Sequence, residues 1–230
     1  MPLLDDRVLF LDGEALILDK PAGMPVDAPR DGSLSLENHL ALLTFGFQRW
    51  PTAVHRLDRD TSGCLLLARN PKAHKRFAAA FEEGTVAKRY IAVLSGVPAE
   101  SSGTIDLPLG KTSNPRTGWR MMPDPKGKSA LTDWQVIARK DGRALVAFTP
   151  RTGRTHQIRA HALHGLGHGI AGDPVYGSMN GGPAGEAMLL HSRFLSIPRG
   201  AKPPAEATAP LPDSFAQAGF APALLDDAGL

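Results

Sequence analysis

Glycine and proline interrupt this chain so often that long regular elements are not expected. The sequence contains 24 glycines and 20 prolines, placed between short apolar stretches. Glycine adopts turn conformations that other residues avoid, and proline disrupts helix interiors and central strands. The pattern favours short strands joined by loops, and it contains neither an internal repeat nor a heptad pattern. We therefore predict an α+β fold with a largely antiparallel sheet.

The apolar spacing places the predicted elements along the chain. A hairpin over 8–19 turns at Asp12-Gly13, and helical spacing occurs over 34–43, 71–83 and 156–164. Further strands are predicted at 87–95, 104–107, 130–138 and 143–149. The last thirty residues are rich in proline and alanine and carry a net charge of −3. They are expected either to form one short helix around 213–219 or to remain loosely ordered.

Composition excludes several classes of protein. Hydrophobic residues make up 42% and charged residues 21%, which is ordinary for a globular domain. No apolar run approaches the roughly 18 residues that span a bilayer, and residues 1–6 lack the pattern of a signal peptide. Cys64 is the only cysteine, which excludes an internal disulfide and a cysteine-based zinc site. We expect a cytoplasmic protein without a membrane partner.

The charges are unevenly distributed. Residues 1–53 carry 4 basic and 8 acidic groups, whereas residues 110–159 carry 11 basic and 3 acidic groups. A segment this basic in a nearly neutral chain is typical of polyanion binding, because phosphate neutralisation dominates nucleic-acid affinity. An ordinary solvated basic face remains the alternative.

The stretch from His55 to Gly63, HRLDRDTSG, carries the clearest chemical pattern. It places Asp58 between Arg56 and Arg59, on a loop just before the apolar run that begins at Cys64. A carboxylate within a few ångströms of a guanidinium has a lowered pKa and stays ionised, so it can act as a nucleophile. The alternative is a surface loop with a structural arginine–aspartate pair.

The string resembles the signature of the RluA-type pseudouridine synthases, in which the aspartate of the RLD triplet is catalytic. Five further segments resemble motifs of that family and occur in the family's order. They are Asp19–Gly23, Lys88–Tyr90, Arg151–His161, Gly172–Gly177 and Leu189–Ser192.

The resemblance implies a long, bent, mostly antiparallel mixed sheet with flanking helices and a central active-site cleft. Residues 1–200 would form the catalytic domain, and 201–230 a tail that packs on the same domain or stays loose. Because the first motif already begins at Asp19, the chain resembles members without an S4-type RNA-binding domain. The implied activity is isomerisation of specific uridines in RNA, with base flipping, without cofactor or metal, by a monomer.

The resemblance also assigns roles to residues. Asp58 would be the catalytic carboxylate, acting at C1′, at C6 or through a glycal, and Arg159 would be its buried partner. Tyr90 would stack on the flipped uracil, although a core tyrosine is the alternative. The remaining candidates for substrate binding are His55, Arg56, Lys88, Lys111, Arg116, Arg154 and Leu190.

Residues 111–128 are expected to form a loop or β-arm that grips RNA, with Trp119 either stacking on a base or filling the arm's own core. His161, His164 and His168 share a helical face and could suggest a metal site, but the nearby glycines and the missing ligand motifs argue against it. The expected RNA is a tRNA anticodon stem-loop, a 23S rRNA stem-loop or both. A catalytically silent RNA-binding module and a hydrolase with an aspartate nucleophile are the alternatives.

Overall fold

The computed structural model of the protein describes residues 4–29, 32–114, 118–177 and 187–229. The chain divides into two compact units, one formed by Met1–Lys88 and Ser192–Pro210 and the other by Arg89–His191 and Leu211–Leu230. Within the described ranges, no helix is both long and apolar enough to cross a bilayer.

Strands and helices follow one another in short segments, as the glycine and proline content predicts. The strands are β1 (Val8–Leu11), β2 (Ala15–Lys20), β3 (Thr52–Ala53), β4 (Ser62–Ala68), β5 (Ala87–Leu94), β6 (Ser102–Asp106), β7 (Leu109–Asn114), β8 (Gly118–Pro123), β9 (Leu131–Lys140), β10 (Arg143–Pro150), β11 (Leu190–Arg199) and β12 (Lys202–Thr208). The α-helices are α1 (Pro71–Glu82), α2 (Gln157–Leu166), α3 (Asp213–Gln217) and α4 (Ala223–Asp227), and 3-10 helices occupy Asp5–Arg7 and Leu36–Leu43.

The first unit is built around β2 and β4, which pair antiparallel and are buried along their whole length. β1 pairs with β2, β3 pairs with β4, and β11 forms a hairpin with β12. Helix α1 begins at Pro71 because the side chain of Asn70 accepts a hydrogen bond from the Ala73 N–H. Its Phe77 packs into the same core as Ile17 and Leu66.

The second unit contains four antiparallel strands in the order β5-β10-β9-β6. Successive residues of β5 point to opposite faces, so each face has its own core. Leu94 packs in a cluster with Ile158 of α2, whereas Val93 packs in a cluster with Phe215 and Phe220. The second cluster therefore explains the position of α3 and α4, whose apolar side chains cover that face.

Strands β7 and β8 form a separate two-stranded hairpin, with Lys111 paired to Met121 and Ser113 paired to Trp119. The Cβ of any larger residue at Gly127 would lie 2.5 Å from the Leu109 carbonyl carbon, so the base of this hairpin requires a glycine. The predicted β-arm is confirmed over these two strands.

The α+β class is confirmed, and the strand pairings described above are antiparallel. Three details differ from the sequence-based expectation. The segment predicted as a helix over 34–43 is a 3-10 helix from Leu36 to Leu43, and α2 begins after His156, whose φ of 50° is left-handed. The β11–β12 hairpin crosses the expected domain boundary at residue 200, so residues 202–208 form a strand, while 213–227 contain two short helices.

Candidate functional site

Asp58 lies on the loop that joins β3 to β4, in the first unit. The loop closes into a turn in which the Thr61 N–H donates to the Asp58 carbonyl at 3.1 Å. The neighbouring Leu57 and Thr61 are buried, whereas Asp58 itself is only partly buried. Because these buried neighbours fix the backbone before and after Asp58, its carboxylate is held in place. It nevertheless remains partly accessible to solvent.

Lys20, at the end of β2, supports this loop from the protein interior. Its Nζ donates to the carbonyls of Pro21 and Met24 at 2.8 Å and to that of Arg59 at 3.1 Å, which uses all three N–H groups of an ammonium. Burial lowers the pKa of Lys20 to about 8, while the carboxylates of Asp60, Asp58 and Asp19 oppose that shift. A fully buried cation thus lies beneath the loop and ties it to β2.

His55, a predicted substrate-binding residue, stabilises the same loop. Its Nε2 accepts a hydrogen bond from the Leu66 N–H at 3.0 Å, and its ring stacks on Phe81 with centroids 4.6 Å apart. Burial and the nearby charge of Lys88 lower the pKa of His55 to about 3, so the ring is neutral. The ammonium of Lys88 lies 5.6 Å from the Phe81 ring. Direct contact of either residue with a substrate stays a prediction.

The arginines that flank Asp58 in the sequence bind other carboxylates. Arg56 Nη1 lies 2.6 Å from Asp27 Oδ2, and Arg59 binds the two oxygens of Asp60 at 2.9 and 3.0 Å. Arg56 thus pairs with Asp27, and its predicted contact with the substrate stays a prediction. Its side chain is 71% exposed and extends to a loop far away in sequence, so adjacency along the chain does not determine its partner.

Arg159 occupies the second unit, on α2, and is buried. Its Nε and Nη2 form a two-point contact with the carboxylate of Asp173, at 2.7 and 2.8 Å. Burial alone would raise the pKa of Asp173, but Arg159 and the backbone N–H groups of Val175 and Tyr176 lower it below its ordinary value. Arg159 thus forms a buried ion pair with Asp173, and its predicted pairing with Asp58 stays a prediction.

Tyr90 and Leu190 both belong to the apolar part of the second unit. Tyr90 is half-buried on β5, opposite Phe148 of β10, and packs against the cluster that contains Leu190. Leu190 is 4% exposed. These positions fit both a wall for a uracil ring and a simple core role, so the stacking function of Tyr90 stays a prediction.

The β7–β8 hairpin is fixed to α2 through aromatic side chains. Trp119 stacks on His156 with centroids 4.7 Å apart, and His156 Nδ1 lies 3.1 Å from the Tyr176 hydroxyl. That hydroxyl accepts a hydrogen bond from the Met121 N–H at 2.7 Å. The Lys111 ammonium lies 5.0 Å from the Trp119 ring, which is 45% exposed. Trp119 therefore packs outside the arm, against His156, and keeps part of its ring accessible.

The chain of contacts continues from the hairpin to the buried ion pair. The guanidinium carbon of Arg159 lies 5.1 Å from the centre of the Tyr176 ring, and Asp173 binds the backbone N–H of Tyr176 at 2.9 Å. Arg154, at the loop before α2, donates from Nε to the Ser129 carbonyl at 2.8 Å. The predicted residue Arg116 lies outside the described residues.

The three histidines considered as metal ligands have other surroundings. His161 is buried, with its nitrogens 2.9 Å from Thr132 Oγ1 and 3.1 Å from the Leu107 carbonyl. Helix α2 ends at Leu166 and is followed by Gly167, which adopts φ 76°, before His168 is reached. Among the described residues, no three side chains of the kinds that bind metals lie close enough together to form a site.

Asp173 and Lys20 were not assigned a role from the sequence, although the residues around them indicate an unusual environment. Asp173 precedes Pro174, a combination typical of turns in which the aspartate accepts from the backbone two and three residues later. Lys20 follows Asp19 at the end of β2, whose first four residues are apolar and whose residues are all buried. In both cases the residue type predicts a special environment, but the partner lies too far away in sequence to be identified.

The sites are distributed between the two units. Asp58, Lys20 and His55 belong to the first, and Tyr90, Arg159 and Arg154 to the second. A fixed, partly exposed carboxylate can act as a nucleophile or a base, and the cationic hairpin can contact phosphates.

Comparison with known proteins places these observations in context. A family model described as RNA pseudouridylate synthase matches residues 14–164. An uncharacterized RNA pseudouridine synthase of Zymomonas mobilis is 59% identical over 220 residues, covering 96% of this chain and all of the relative. The ribosomal large subunit pseudouridine synthase D of the same organism is 37% identical over 178 residues, covering 74% of this chain and 56% of the relative.

Solved structures agree with the fold. The human RNA pseudouridylate synthase domain containing 4 superposes with a TM-score of 0.77 at 26% identity, covering 93% of this chain and 91% of the other. The human RNA pseudouridylate synthase domain containing 1 gives a TM-score of 0.75 at 30% identity, covering 94% and 85%. The expected fold is confirmed by this likeness.

Proposed function

The chain belongs to the RNA pseudouridylate synthase family, and from that premise we propose that it isomerises specific uridines in stem-loops of tRNA, of 23S rRNA or of both. The enzyme is an RNA pseudouridine synthase, an isomerase that acts on RNA. The observation that carries the proposal is the position of Asp58, on a loop fixed by Lys20 and by buried neighbours while its own side chain is only partly buried.

The reaction demands little besides a well-placed carboxylate. Pseudouridine formation breaks the N1–C1′ bond of a uridine, turns the detached uracil and joins its C5 to C1′, while the proton of C5 is replaced by one on N1. No group enters or leaves the nucleotide. Asp58 is the group that acts on the sugar or the base in this proposal, because an aspartate can serve as nucleophile or base.

The target base must leave its stack before Asp58 can reach it. Extruding a base costs a few kcal/mol, and stacking on an aromatic ring returns about 1–3 kcal/mol. Tyr90, half-buried on β5 beside an apolar cluster, is the ring that we assign to this role. Arg159 completes the proposed catalytic set, with its orientation set by Asp173.

The substrate class is supported by the charge of the second unit and by its relatives. Phosphate contacts position an RNA without reading its sequence, and the cations of the β7–β8 hairpin are available for them. A relative is named for the large ribosomal subunit, which supports an rRNA stem-loop as one target. A monomer acting in the cytoplasm is part of the proposal, and the single, buried Cys64 is compatible with a reducing compartment.

The test is an Asp58→Asn substitution assayed on transcripts of tRNA and of 23S rRNA fragments. The amide cannot act as nucleophile or base, so the variant should fold normally, bind RNA and form no detectable pseudouridine. Asp60→Asn is the matched control, because it removes the other carboxylate of the same loop and should retain most of the activity.

Pseudouridine is quantified by mass spectrometry of the nucleosides, and its position is mapped in each RNA. Turnover by Asp58→Asn near the wild-type rate would remove Asp58 from the mechanism. If the wild-type protein binds these RNAs and modifies none of them, the alternative of a catalytically silent RNA-binding module would be favoured for these RNAs.

A further inference from the structure

A cavity lies in the first unit, at the opposite end of β3 and β4 from Asp58. It has a volume of about 730 Å³, and Thr52 and Ala68, which pair with each other, form part of its lining. Asp58 lies on the loop that joins the other ends of the same strands. At ~3.3 Å per residue, the length of β4 separates the two places by roughly 20 Å. The cavity is within the size range of ligand pockets.

One wall of this cavity is a loop that a buried arginine holds in place. Arg69 Nη2 donates to the carbonyls of Thr44 and Phe45 at 2.7 and 3.0 Å, and its guanidinium carbon lies 3.8 Å from the centre of the Phe47 ring. Phe45 adopts φ 43°, which is unusual for a residue with a side chain. The loop is therefore fixed in a costly conformation, which is more typical of functional segments than of simple connections.

The wall presents an aromatic ring that the protein core does not use. Trp50 lines the cavity and is 59% exposed. Three of the large apolar side chains that remain exposed in the described residues, Phe45, Phe47 and Trp50, belong to this one loop. Clustered exposed apolar side chains mark binding surfaces. A flat, accessible indole suits a flat ligand ring.

The charges around the ring are all of one sign. Arg49 and Lys75 line the cavity and are exposed, and in the described part of the chain neither has a carboxylate partner. None of the described residues that line the cavity is acidic. The third cation, Arg69, is already bound to backbone carbonyls and shapes the wall. An apolar ring flanked by two available cations matches a nucleobase with its phosphates.

We propose that this cavity binds an unpaired nucleotide of the substrate RNA, outside the uridine that is modified. The base stacks on Trp50, and Arg49 and Lys75 contact the adjoining phosphates. The identity of the RNA as substrate rests on the proposed function, but the binding of a single-stranded nucleotide segment does not require turnover. A second copy of the chain is a less suitable occupant, because it would have to bring both an apolar side chain and acidic groups to the same place.

The experiment uses the full chain and a ten-nucleotide oligocytidylate that carries one 5-iodocytidine. This probe contains no uridine, so it offers no target for isomerisation. After irradiation, mass spectrometry of the peptides should find the crosslink at Trp50. The dissociation constant, measured by fluorescence anisotropy, should rise about tenfold for Trp50→Ala, as expected for the loss of one base stack, and much less for Trp50→Phe.

Two charge variants on α1 provide a matched pair. Lys75→Glu and Lys72→Glu change the net charge equally and lie on the same helix, but only Lys75 lines the cavity. We expect Lys75→Glu to weaken binding of the oligonucleotide several-fold more than Lys72→Glu. Equal effects of the two variants would mean that only the general charge of the helix matters, and the proposal would be wrong.

Two further outcomes would overturn the proposal. One is a crosslink pattern without Trp50 together with unchanged affinity of Trp50→Ala. The other is self-association in sedimentation that Trp50→Ala abolishes, which would assign the face to a second copy. If the protein forms pseudouridine but fails these tests, the proposed function stands and the cavity proposal is wrong. If the protein binds the oligonucleotide at Trp50 but has no isomerase activity, the cavity proposal stands and the proposed function is wrong.

Discussion

At the scale of single residues, Lys20 is the side chain whose environment is most unusual. It is fully buried, and its ammonium bonds to three backbone carbonyls, one of which belongs to the residue after Asp58. Each carbonyl would lose a buried partner if the side chain were truncated, and an unsatisfied buried acceptor costs about 1–3 kcal/mol. Lys20 is therefore a positioning residue for the Asp58 loop.

The lowered pKa of Lys20 predicts a specific dependence of stability on pH. Between about 8 and the ordinary value of 10.5, the unfolded chain binds more protons at this site than the folded chain. The contribution of Lys20 to the free energy of unfolding is therefore highest above that window and is lost as the pH falls to about 8, by ~1.4 kcal/mol per pH unit. Lys20→Met removes this dependence.

The measurement is urea unfolding of wild type and Lys20→Met at pH 7, 8, 9 and 10. The difference in unfolding free energy between the two proteins should change in favour of the wild type by ~2 kcal/mol from pH 8 to 10. Lys72→Met, at an exposed position of α1, is the control and should show no such trend. A pH-independent difference for Lys20→Met would contradict the assigned environment.

At the scale of elements, α2 connects the β7–β8 hairpin to the buried ion pair. His156, at its start, stacks on Trp119, and Arg159, one turn later, binds Asp173. Breaking a buried pair by removing one partner typically costs 3–5 kcal/mol. The hairpin is thus attached to a rigid element, and its cations are presented in a defined place.

Substitutions of the lysines in and after the hairpin, and of Tyr90, the proposed stacking residue, should affect different steps: the former RNA binding, the latter the chemical step. Replacing Lys111 of the hairpin, together with Lys126 and Lys128 that follow β8, with alanine should weaken RNA binding and reduce the slope of affinity against salt by about one per lost phosphate contact. The rate at saturating RNA should fall much less.

Tyr90→Ala should show nearly normal initial binding and a large loss in the chemical step, because the ring contacts the base only after extrusion.

The control for the hairpin replaces Lys72, Lys140 and Lys202, three lysines outside it, and should leave the salt slope nearly unchanged. Binding is measured by filter retention at several salt concentrations, and single-turnover assays give the rate. Wild-type affinity and slope in the hairpin variant would show that these residues do not grip RNA.

At the scale of the whole molecule, apolar clusters lie within each unit, and the proposed chemistry uses only side chains of the protein. Pseudouridine formation needs no Lewis acid, and the described residues do not gather three metal-binding side chains in one place. The catalytic requirement is therefore placement of the protein's own groups, chiefly Asp58.

This predicts full activity in excess EDTA. The assay compares pseudouridine formation with and without the chelator on a short stem-loop that folds without divalent cations, since a larger RNA could lose its own structure. Activity that disappears in EDTA and returns when zinc is added to folded enzyme would point to a metal site. If magnesium alone restores the activity, and only on the large RNA, the requirement belongs to the folding of that RNA and not to the enzyme.

Much of the fold and of the candidate site follows from the sequence. The start of α1 at Asn70-Pro71, the turns at glycines, the hairpin at 109–123 and the loop that carries Asp58 all depend on neighbouring residues, whose conformational preferences act locally. The motifs identified the family for the same reason, because their residues are contiguous in the chain.

Only the tertiary structure decided which partner each charged or apolar group meets. Arg56 binds Asp27 instead of Asp58, Lys20 reaches the carbonyl of Arg59, and Phe215 of the tail covers a face of the second unit. The residues in each of these contacts are far apart in the sequence. Such contacts depend on strand register and on the competition between partners in three dimensions, which local preference does not encode.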